Sequence, residues 1–288
     1  HCGARIIFAD IDEKTYNISV DEVEKCIKKF GSKIKAVIPV HLYGQPCDMN
    51  ELVELCNKYE IKIVEDCAQA HGASVVLQMK DKPNRVKNEV KKVGSIGEVG
   101  CFSFYPTKNL GCYGDGGAVT TNDTKLYEHL LRLRNHGRVE HYLYQHIGHN
   151  ARLDNLQAGI LLVKLKWLDK WNEERRKIAE MYSQGLNNVG DIVLPYVKSN
   201  VVHVYHLYVI RTSYRDKLEK YLKQNSIGCA VQYGVPLHLQ PAYKGLYDTV
   251  SGLKVTEKVA KEVLSLPMYP GLSNTKVEYV IKKIKEFF

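Results

Sequence analysis

The sequence GCFSFYPTKNLGCYGDGGAV, residues 100–119, decides the fold of this 288-residue chain. An apolar strand pattern ends near Phe104, and Pro106 prevents the strand from continuing. Lys108 follows in a loop that is rich in glycine. A lysine just beyond a strand end can project into a cleft, where burial or a nearby cation lowers the pKa of its amine and prepares it for imine formation. A lone lysine in such a loop is more often an ordinary surface residue.

Short strand patterns alternate with amphipathic helix patterns upstream of this loop. The strand patterns cover residues 5–9, 34–40 and 61–65, and the helix patterns cover residues 19–30 and 49–59. This alternation predicts an α/β fold with a mainly parallel sheet covered by helices. Right-handed crossovers then place ligand chemistry at the carboxyl ends of the strands.

Further strand patterns flank the loop at 94–105 and 117–121, and helix patterns follow at 123–135 and 155–185. The pattern changes after Asp191, with strand patterns at 204–211 and 229–233 and helix patterns at 215–224, 255–264 and 274–288. We predict a large α/β domain over residues 1–155, a linking helix over 156–185 and a smaller α+β domain over 186–288.

The segment IVEDCAQAHGAS, residues 63–74, brings two carboxylates to the carboxyl edge of the sheet. If Glu65 or Asp66 is buried there, it can keep a pyridinium nitrogen protonated, which makes the ring an electron sink. A helix cap or a structural ion pair is the alternative for both carboxylates. Gln69 and His71 can contact a cofactor or only hydrogen-bond the turn, and a lone histidine is more often structural.

Two later segments are rich in polar side chains. In GHNARLDNLQAGIL, residues 148–161, Asn150 and Arg152 precede a helix and can bind an anion, although helix capping is the alternative. In VQYGVPLHLQPAY, residues 231–243, tyrosines and His238 alternate with prolines. That composition suits a polar ligand wall or a structural turn.

The composition excludes several classes of protein. The net charge of +9 raises the possibility of nucleic-acid binding. However, the lysines are spread along amphipathic segments, and this distribution is typical of the solvent-exposed faces of helices. We predict no nucleic-acid partner; a basic nucleic-acid binder stays as an alternative that rests on charge alone. The eight cysteines form no CxxC pair, so we predict reduced thiols without disulfides or a metal site. No apolar stretch approaches the ~20 residues of a membrane span, and no signal peptide is visible, so we expect a cytoplasmic protein without a membrane partner.

Taken together, these segments resemble the DegT/DnrJ/EryC1/StrS family of sugar aminotransferases. The matching strings run through the chain in the family's order: PVHLYGQPCDM (39–49), EDCAQAHGA (65–73), CFSFYPTKNLGCYGDGGAV (101–119), LRNHG (133–137), RLDNLQAGIL (152–161), PLHLQPAY (236–243) and LSLPMYP (264–270). The resemblance implies a fold-type-I pyridoxal-phosphate transferase, with a homodimer whose two active sites are each built from both subunits.

The resemblance also implies roles for individual residues. Lys108 matches the Schiff-base lysine that shuttles protons, and Asp66 matches the partner of the pyridine nitrogen. Gln69 is similar to the glutamine near the cofactor hydroxyl, and Ser103 matches a phosphate ligand. Asn150 resembles the phosphate ligand that is donated across the dimer.

The implied reaction moves an amino group from L-glutamate to a nucleotide-linked keto-deoxysugar. Tyr233, His238 and Arg152 are the candidate substrate-binding residues. Some relatives are dehydratases with a histidine at the lysine position, so Lys108 favours transamination. The alternative is a non-catalytic or truncated homologue that keeps the dimer and the sugar-nucleotide surface.

The sequence departs from the family pattern in three places. It begins at His1 within a strand-like pattern, whereas relatives begin earlier with a Ser-Gly-Thr phosphate turn and a ring-stacking aromatic residue, so we expect an N-terminally incomplete copy that binds the cofactor weakly. Asp66 and Lys108 are 42 positions apart, which is a longer separation than in the family pattern. The additional residues fall in the charge-rich stretch 77–92, which we predict to be an inserted loop near the cleft mouth. Residues 232–234, Gln-Tyr-Gly, replace the family's His-Tyr-Pro, which leaves the substrate preference open.

Overall fold

Strands and helices alternate through the first half of the chain in the computed structural model, which describes residues 2–82 and 85–288. The helices are α1 (Val20–Phe30), α2 (Met49–Lys58), α3 (Thr124–Leu133), α4 (Asn155–Leu165), α5 (Leu168–Gly185), α6 (Arg215–Gln224), α7 (Lys254–Glu262) and α8 (Asn274–Phe287). The strands are β1 (Ile6–Ile7), β2 (Ala36–Val37), β3 (Lys62–Asp66), β4 (Ser74–Lys82), β5 (Arg85–Lys92), β6 (Val99–Ser103), β7 (Gly117–Thr120), β8 (Arg138–Glu140), β9 (Leu143–Tyr144), β10 (Val201–Val202), β11 (Tyr208–Arg211), β12 (Tyr247–Asp248) and β13 (Val263–Leu266).

The central sheet has the strand order β2-β3-β6-β7. β3 is parallel to both β2 and β6, and β7 is antiparallel to β6. The register pairs Asp66 with Cys101, so the carboxyl ends of β3 and β6 lie at the same edge. The predicted α/β fold with a mainly parallel sheet is confirmed.

Helix α1 shows how the sequence covers this sheet. The Ser19 side chain accepts a hydrogen bond from the Glu22 amide and caps the helix. Val23, Cys26 and Ile27 follow at the spacing of one helix face and are buried, and Val23 and Ile27 pack in the core with Ile63 of β3. Burying one such aliphatic side chain stabilises the fold by about 1.5–3 kcal/mol.

A second core lies in the C-terminal part, where β11 and β13 pair antiparallel beneath α5, α6 and α8. Its fully buried side chains include Tyr182, Tyr208, Ile210, Leu218, Leu222, Leu264 and Ile284. Segments on either side of the predicted domain boundaries share sheets, because β1 pairs with β12 and β10 pairs with β4.

The stretch 77–92 is not the loop that we predicted. It belongs to the antiparallel hairpin of β4 and β5, whose register begins at Ser74 opposite Lys92. The reason is a period-2 pattern at its base, where Val75 and Leu77 are buried in the same core as Val23 and Ile27 of α1. Residues 83–84, which include the predicted loop proline Pro83, lie outside the described residues.

Three further element predictions need correction. The helix predicted over 155–185 is divided into α4 and α5 by a tight turn, in which the Trp167 amide donates to the Lys164 carbonyl three residues back. The helix predicted over 255–264 ends at Glu262, because the next residues form β13 and pair with β11. Residues 229–233 make only a single bridge, Ala230 to Ser265, in place of the predicted strand.

Candidate active site

The loop that carries Lys108 is closed at its base by backbone hydrogen bonds. The Phe104 amide donates to the Gly116 carbonyl (2.7 Å), and the Cys112 amide donates to the Phe104 carbonyl (2.8 Å). A Cβ atom on Gly111 would lie 2.5 Å from the Pro106 carbonyl oxygen, so the tight turn requires glycine there. These contacts give Lys108 a fixed backbone just beyond the end of β6.

Helix α4 holds the outer side of the same loop. The Lys164 ammonium donates to the Gly111 carbonyl (2.6 Å). The Gln157 side chain accepts from the Tyr113 amide (2.8 Å) and donates to the Tyr113 carbonyl (3.3 Å). The loop is therefore hydrogen-bonded to α4, the helix that begins within the RLDNLQAGIL segment.

The Lys108 side chain is half-buried, and its charge state responds to two opposing effects. Burial lowers the pKa of the Lys108 amine, and the nearby Asp66 carboxylate raises it, with a net shift below the ordinary lysine value. The neutral amine, which is the nucleophilic form, is thus more accessible than in a solvated lysine.

The adjacent carboxylates Glu65 and Asp66 have different surroundings. Glu65 is fully buried and accepts the backbone N–H groups of residues 94, 96 and 97 at 2.9, 2.8 and 2.8 Å. It also accepts from His41 Nε2 (3.1 Å), since His41 Nδ1 already accepts from the Cys47 amide (3.0 Å). Burial alone raises the pKa of Glu65, but the hydrogen bonds from His41 and the turn hold it below its usual value. Glu65 is committed to holding the turn together.

Asp66 is the carboxylate that is left for chemistry. It ends β3, it is only partly buried, and its Oδ1 accepts from the Ala68 amide (2.9 Å). Within residues 2–82 and 85–288 no hydrogen bond engages its second oxygen, and the Asp66 charge is close enough to Lys108 to raise the pKa of the amine. The sequence left Glu65 and Asp66 as alternatives, and the contacts separate them.

The Gln69 amide is oriented by the backbone. Its Oε1 accepts from the Tyr43 amide (2.6 Å), and its Nε2 donates to the Tyr233 hydroxyl (3.0 Å). An amide NH₂ has two hydrogens, so one N–H of Gln69 remains for a ligand acceptor. The Tyr43 hydroxyl donates to the Gln232 carbonyl and ties the same turn to the 231–243 loop.

Ser103 lies at the carboxyl end of β6. Its Oγ accepts from the Tyr105 amide (3.3 Å), which leaves the hydroxyl hydrogen to donate to an anion. The Ser103 backbone also lies beside the buried His71 ring.

The remaining predicted site residues lie in two separate places. Asn150 and Arg152 are exposed and bonded to each other, Arg152 Nε donating to Asn150 Oδ1 at 3.1 Å. His238 is buried, and its Nε2 lies 3.0 Å from the Glu257 carboxylate, with the Phe8 and Tyr247 rings packed around it. The contacts thus gather Asp66, Gln69, Ser103, Lys108 and Tyr233 in one region, and leave His238 in an aromatic cluster of its own.

Two histidines beside Lys108 are buried and neutral. His71 is only 2% exposed, and among the described residues neither of its ring nitrogens has a hydrogen-bond partner of normal geometry. Burial, with a contribution from the Lys108 charge, lowers the pKa of His71 to about 4 and that of His206 to about 3. Sequence reasoning missed His206 and Asn109. His206 is hidden in a strand-like pattern, and the position of Asn109 next to Lys108 was its only signal.

The chemistry of this donor set fits pyridoxal phosphate. The free oxygen of Asp66 can accept from a protonated pyridine nitrogen, and the free N–H of Gln69 can donate to the ring oxygen. The Ser103 hydroxyl can donate to a phosphate oxygen, and the Lys108 amine can bond the aldehyde carbon.

The chain is similar over nearly its whole length to known proteins. Among the described helices, none has the length and apolar character needed to cross a membrane. The chain is 43% identical over 288 residues to a pleiotropic regulatory protein of Geobacillus stearothermophilus, covering 99% of this chain and 73% of the relative. It is 40% identical over 289 residues to a dTDP-3-amino-3,4,6-trideoxy-alpha-D-glucose transaminase of Micromonospora megalomicea, with the same coverage of 99% and 73%.

A solved structure has the same fold. The Streptomyces venezuelae DesV structure, determined with a ketimine intermediate, superposes with a TM-score of 0.87 at 39% identity, covering 97% of this chain and 71% of DesV. The family model for the DegT/DnrJ/EryC1/StrS aminotransferases matches residues 1–285. The chain belongs to the DegT/DnrJ/EryC1/StrS aminotransferase family.

Proposed function

We propose that this protein transfers an amino group from L-glutamate to the keto carbon of a nucleotide-linked deoxysugar. Family membership makes it a pyridoxal-phosphate-dependent sugar aminotransferase. The observation that carries the proposal is the placement of Lys108 beside Asp66, with a lowered amine pKa and with Glu65 already committed to the turn.

Each residue of the site then has a distinct task. Pyridoxal phosphate, when bound, supplies an aldehyde that carries the amino group and a ring that withdraws electrons. Lys108 Nζ would bond the aldehyde carbon of the cofactor and, as the free amine, would move the proton at the carbon that gains or loses nitrogen. Asp66 would hold the proton on the pyridine nitrogen, Gln69 would donate to the ring oxygen, and Ser103 would bind the phosphate.

The substrate side is proposed to include Tyr233, His238 and Arg152. Tyr233 is the best supported of these, because its hydroxyl accepts from Gln69 and its side chain is exposed. Arg152 is exposed and can bind a diphosphate oxygen. His238 acts by shaping the 236–243 segment, since its ring is paired with Glu257.

We also propose a homodimer in which Asn150 reaches the cofactor phosphate of the partner subunit. Large apolar side chains are exposed around Asn150, with Ile147 99%, Tyr142 82% and Leu156 75% accessible. Further exposed apolar residues on α4 are Leu162, Val163 and Leu165. Apolar exposure of this extent is typical of a surface that a second chain covers.

A non-catalytic homologue is the second candidate, because one relative is named a pleiotropic regulatory protein. Such a protein would keep the sugar-nucleotide surface without using Lys108. The intact donor set of Asp66, Gln69, Ser103 and Lys108 favours the enzyme.

The deciding experiment is a visible absorbance spectrum of the purified chain with pyridoxal phosphate, before and after L-glutamate. We expect the band of a lysine-bound cofactor, its loss on adding glutamate, and no band in Lys108→Ala. Lys177→Ala, which changes an exposed lysine paired with Glu173, should keep the band and serves as the control. A chain that shows the same spectrum with and without Lys108 would overturn the proposal.

A further inference from the structure

A network of buried polar side chains begins at Asn109, the residue that follows Lys108. Asn109 Nδ2 donates to Asn172 Oδ1 (2.8 Å) and to the Val204 carbonyl (3.0 Å), and Asn109 Oδ1 lies 3.1 Å from His206 Nδ1. Asn172 Nδ2 donates in turn to the His71 carbonyl (2.8 Å). Asn109, Asn172 and His206 are all buried.

The backbone carbonyls fix the direction of every bond in this network. Because the Val204 carbonyl can only accept, the Asn109 atom facing it is the NH₂ group. Asn109 Oδ1 is then the acceptor, and His206 must carry its proton on Nδ1. The network therefore fixes a proton on His206 Nδ1, and burial, which lowers the pKa of His206 to about 3, keeps the ring neutral.

The partners of Asn109 lie on two segments that are also bonded to each other. Asn172 lies on α5, and Arg175, one turn further along, donates through its NH1 to the carbonyls of Tyr205 (3.1 Å), His206 (3.2 Å) and Met268 (3.1 Å). Asn109 thus connects the Lys108 loop to α5 and to the 204–206 segment at once.

We propose that Asn109 is a positioning residue that holds the Lys108 side chain at the edge shared with Asp66, by anchoring its loop to α5 and to residues 204–206. The inference rests on the proposed role of Lys108. Asn109 immediately follows Lys108, so its three side-chain bonds restrain the backbone from which the amine projects. α4 restrains the other end of the loop through Gly111 and Tyr113.

The choice of asparagine has an electrostatic consequence. An amide fills the space behind Lys108 with paired dipoles and no negative charge. A carboxylate at the same position would attract the ammonium and would also face the Val204 and Asn172 oxygens without donors. Asparagine therefore keeps the Lys108 surroundings favourable to the neutral amine.

The test measures the amine itself in the full chain freed of cofactor. Competitive acetylation followed by mass spectrometry of the Lys108 peptide, over a range of pH, gives the midpoint at which Lys108 becomes reactive. We expect a higher midpoint in Asn109→Ala and a higher one still in Asn109→Asp. A rise of one pH unit lowers the neutral-amine fraction at neutral pH about tenfold.

Asn50→Ala is the matched control, because the Asn50 side chain is likewise tied to distant backbone, donating to the Val76 carbonyl (3.0 Å) and accepting from the Gln78 amide (2.7 Å). Its Lys108 midpoint should equal that of the unsubstituted chain even if thermal stability falls. If Asn109→Ala does not fold, Asn172→Ser decides, since it removes one partner and leaves Asn109 in place. Unchanged midpoints in the folded variants overturn the proposal, and they do so independently of whether the chain shows aminotransferase spectra.

Discussion

At the scale of single residues, neighbouring carboxylates have opposite uses. Glu65 points into the turn after β5 and satisfies three backbone donors and His41, whereas Asp66 keeps an oxygen at the sheet edge. Successive side chains of a strand point to opposite sides, so one of the two must leave the cleft. The strand pattern alone could not say which, because both residues end the same apolar run.

Replacing Glu65 by glutamine tests how far the fold depends on this carboxylate. The glutamine NH₂ is a donor, so it would face other donors, either the N–H groups of the turn or His41 Nε2–H. His41 cannot change tautomer to accept from it without losing the hydrogen bond from the Cys47 amide. We expect a loss of about 3 kcal/mol in the free energy of unfolding, measured by urea denaturation. Glu173→Gln, at an exposed pair with Lys177, should change nothing measurable. Equal stability of Glu65→Gln and the unsubstituted chain would contradict this account.

The sequence singled out the candidate site residues Lys108 and Asp66, but it did not single out the residues that support them. Lys108 and Asp66 follow strand ends, and that position has a readable signal in the apolar pattern. Asn109 and His206 depend on contacts with α5 and with each other across 63 and 97 positions, for which no local pattern exists. The fate of Glu65 likewise depends on a turn some 30 residues later.

At the scale of elements, helix caps illustrate both local and distant control. α3 is capped by its own Asp123, which accepts from the Leu126 amide (3.0 Å). α7 is capped from the far end of the chain, where the Asp10 carboxylate accepts the Val255 and Thr256 amides, each at 2.9 Å. Local capping can be predicted from sequence, but the second cap required knowing that β1 pairs with β12.

Removing the Asp10 cap of α7 should lower the free energy of unfolding more than removing the Asp123 cap of α3. Asp10→Ala loses two helix N–H partners and the Thr256 hydroxyl bond (2.6 Å) in a buried site, so we expect a loss of about 2 kcal/mol in unfolding free energy. Asp123→Ala, at an exposed cap, should lose less than half of that amount. Urea denaturation of both variants provides the comparison, and equal losses would show that the distant cap adds nothing.

The same prediction has a pH dependence. Burial raises the pKa of Asp10, but the hydrogen bonds from Thr256, Val255 and Ile11 together hold it below its ordinary value of 3.8. A carboxyl group whose pKa is lower in the folded state than in the unfolded state stabilises the fold at pH values above the unfolded-state pKa. This contribution is lost as the pH falls through the folded-state pKa. The difference between Asp10→Ala and the unsubstituted chain should therefore be full at neutral pH and shrink below about pH 4.

The hairpin of β4 and β5 shows why an inserted segment was misread at this scale. Its high density of charged residues is typical of a loop, but the burial of alternate residues, Val75 and Leu77, is typical of a strand. Asn50 on α2 fixes the start of the hairpin through Val76 and Gln78. Charge pattern and periodicity disagreed, and periodicity was the better guide because it reflects contact with the core.

At the scale of the whole molecule, both ends of the chain build the same layers. β1 pairs with β12. The Arg211 guanidinium, in β11, donates to the backbone carbonyl of Glu13 (3.1 Å) and to the Glu13 carboxylate (3.0 Å). Alternating strand and helix patterns were enough to predict the α/β class, since each element carries its own periodicity. Pairings between distant segments carry no such local mark, and only the folded chain reveals them.

The proposed homodimer leads to a complementation prediction. Lys108→Ala and Asn150→Ala should each have little activity as homodimers. If Asn150 acts across the interface, a mixed dimer has one site that lacks both residues and one intact site. Mixing the two variants under conditions that exchange subunits should therefore restore amino transfer to a nucleotide-linked keto sugar.

A matched mixture separates this geometry from general stabilisation. Asp66 and Lys108 interact within one chain, so mixing Asp66→Ala with Lys108→Ala leaves a defect in both sites of every mixed dimer and should restore nothing. Adding Ile147→Asp to both complementing variants places a charge on the exposed apolar surface and should abolish the recovery by preventing dimer formation. If mass measurement shows mixed dimers of Lys108→Ala and Asn150→Ala but activity stays absent, Asn150 does not reach the partner subunit's site.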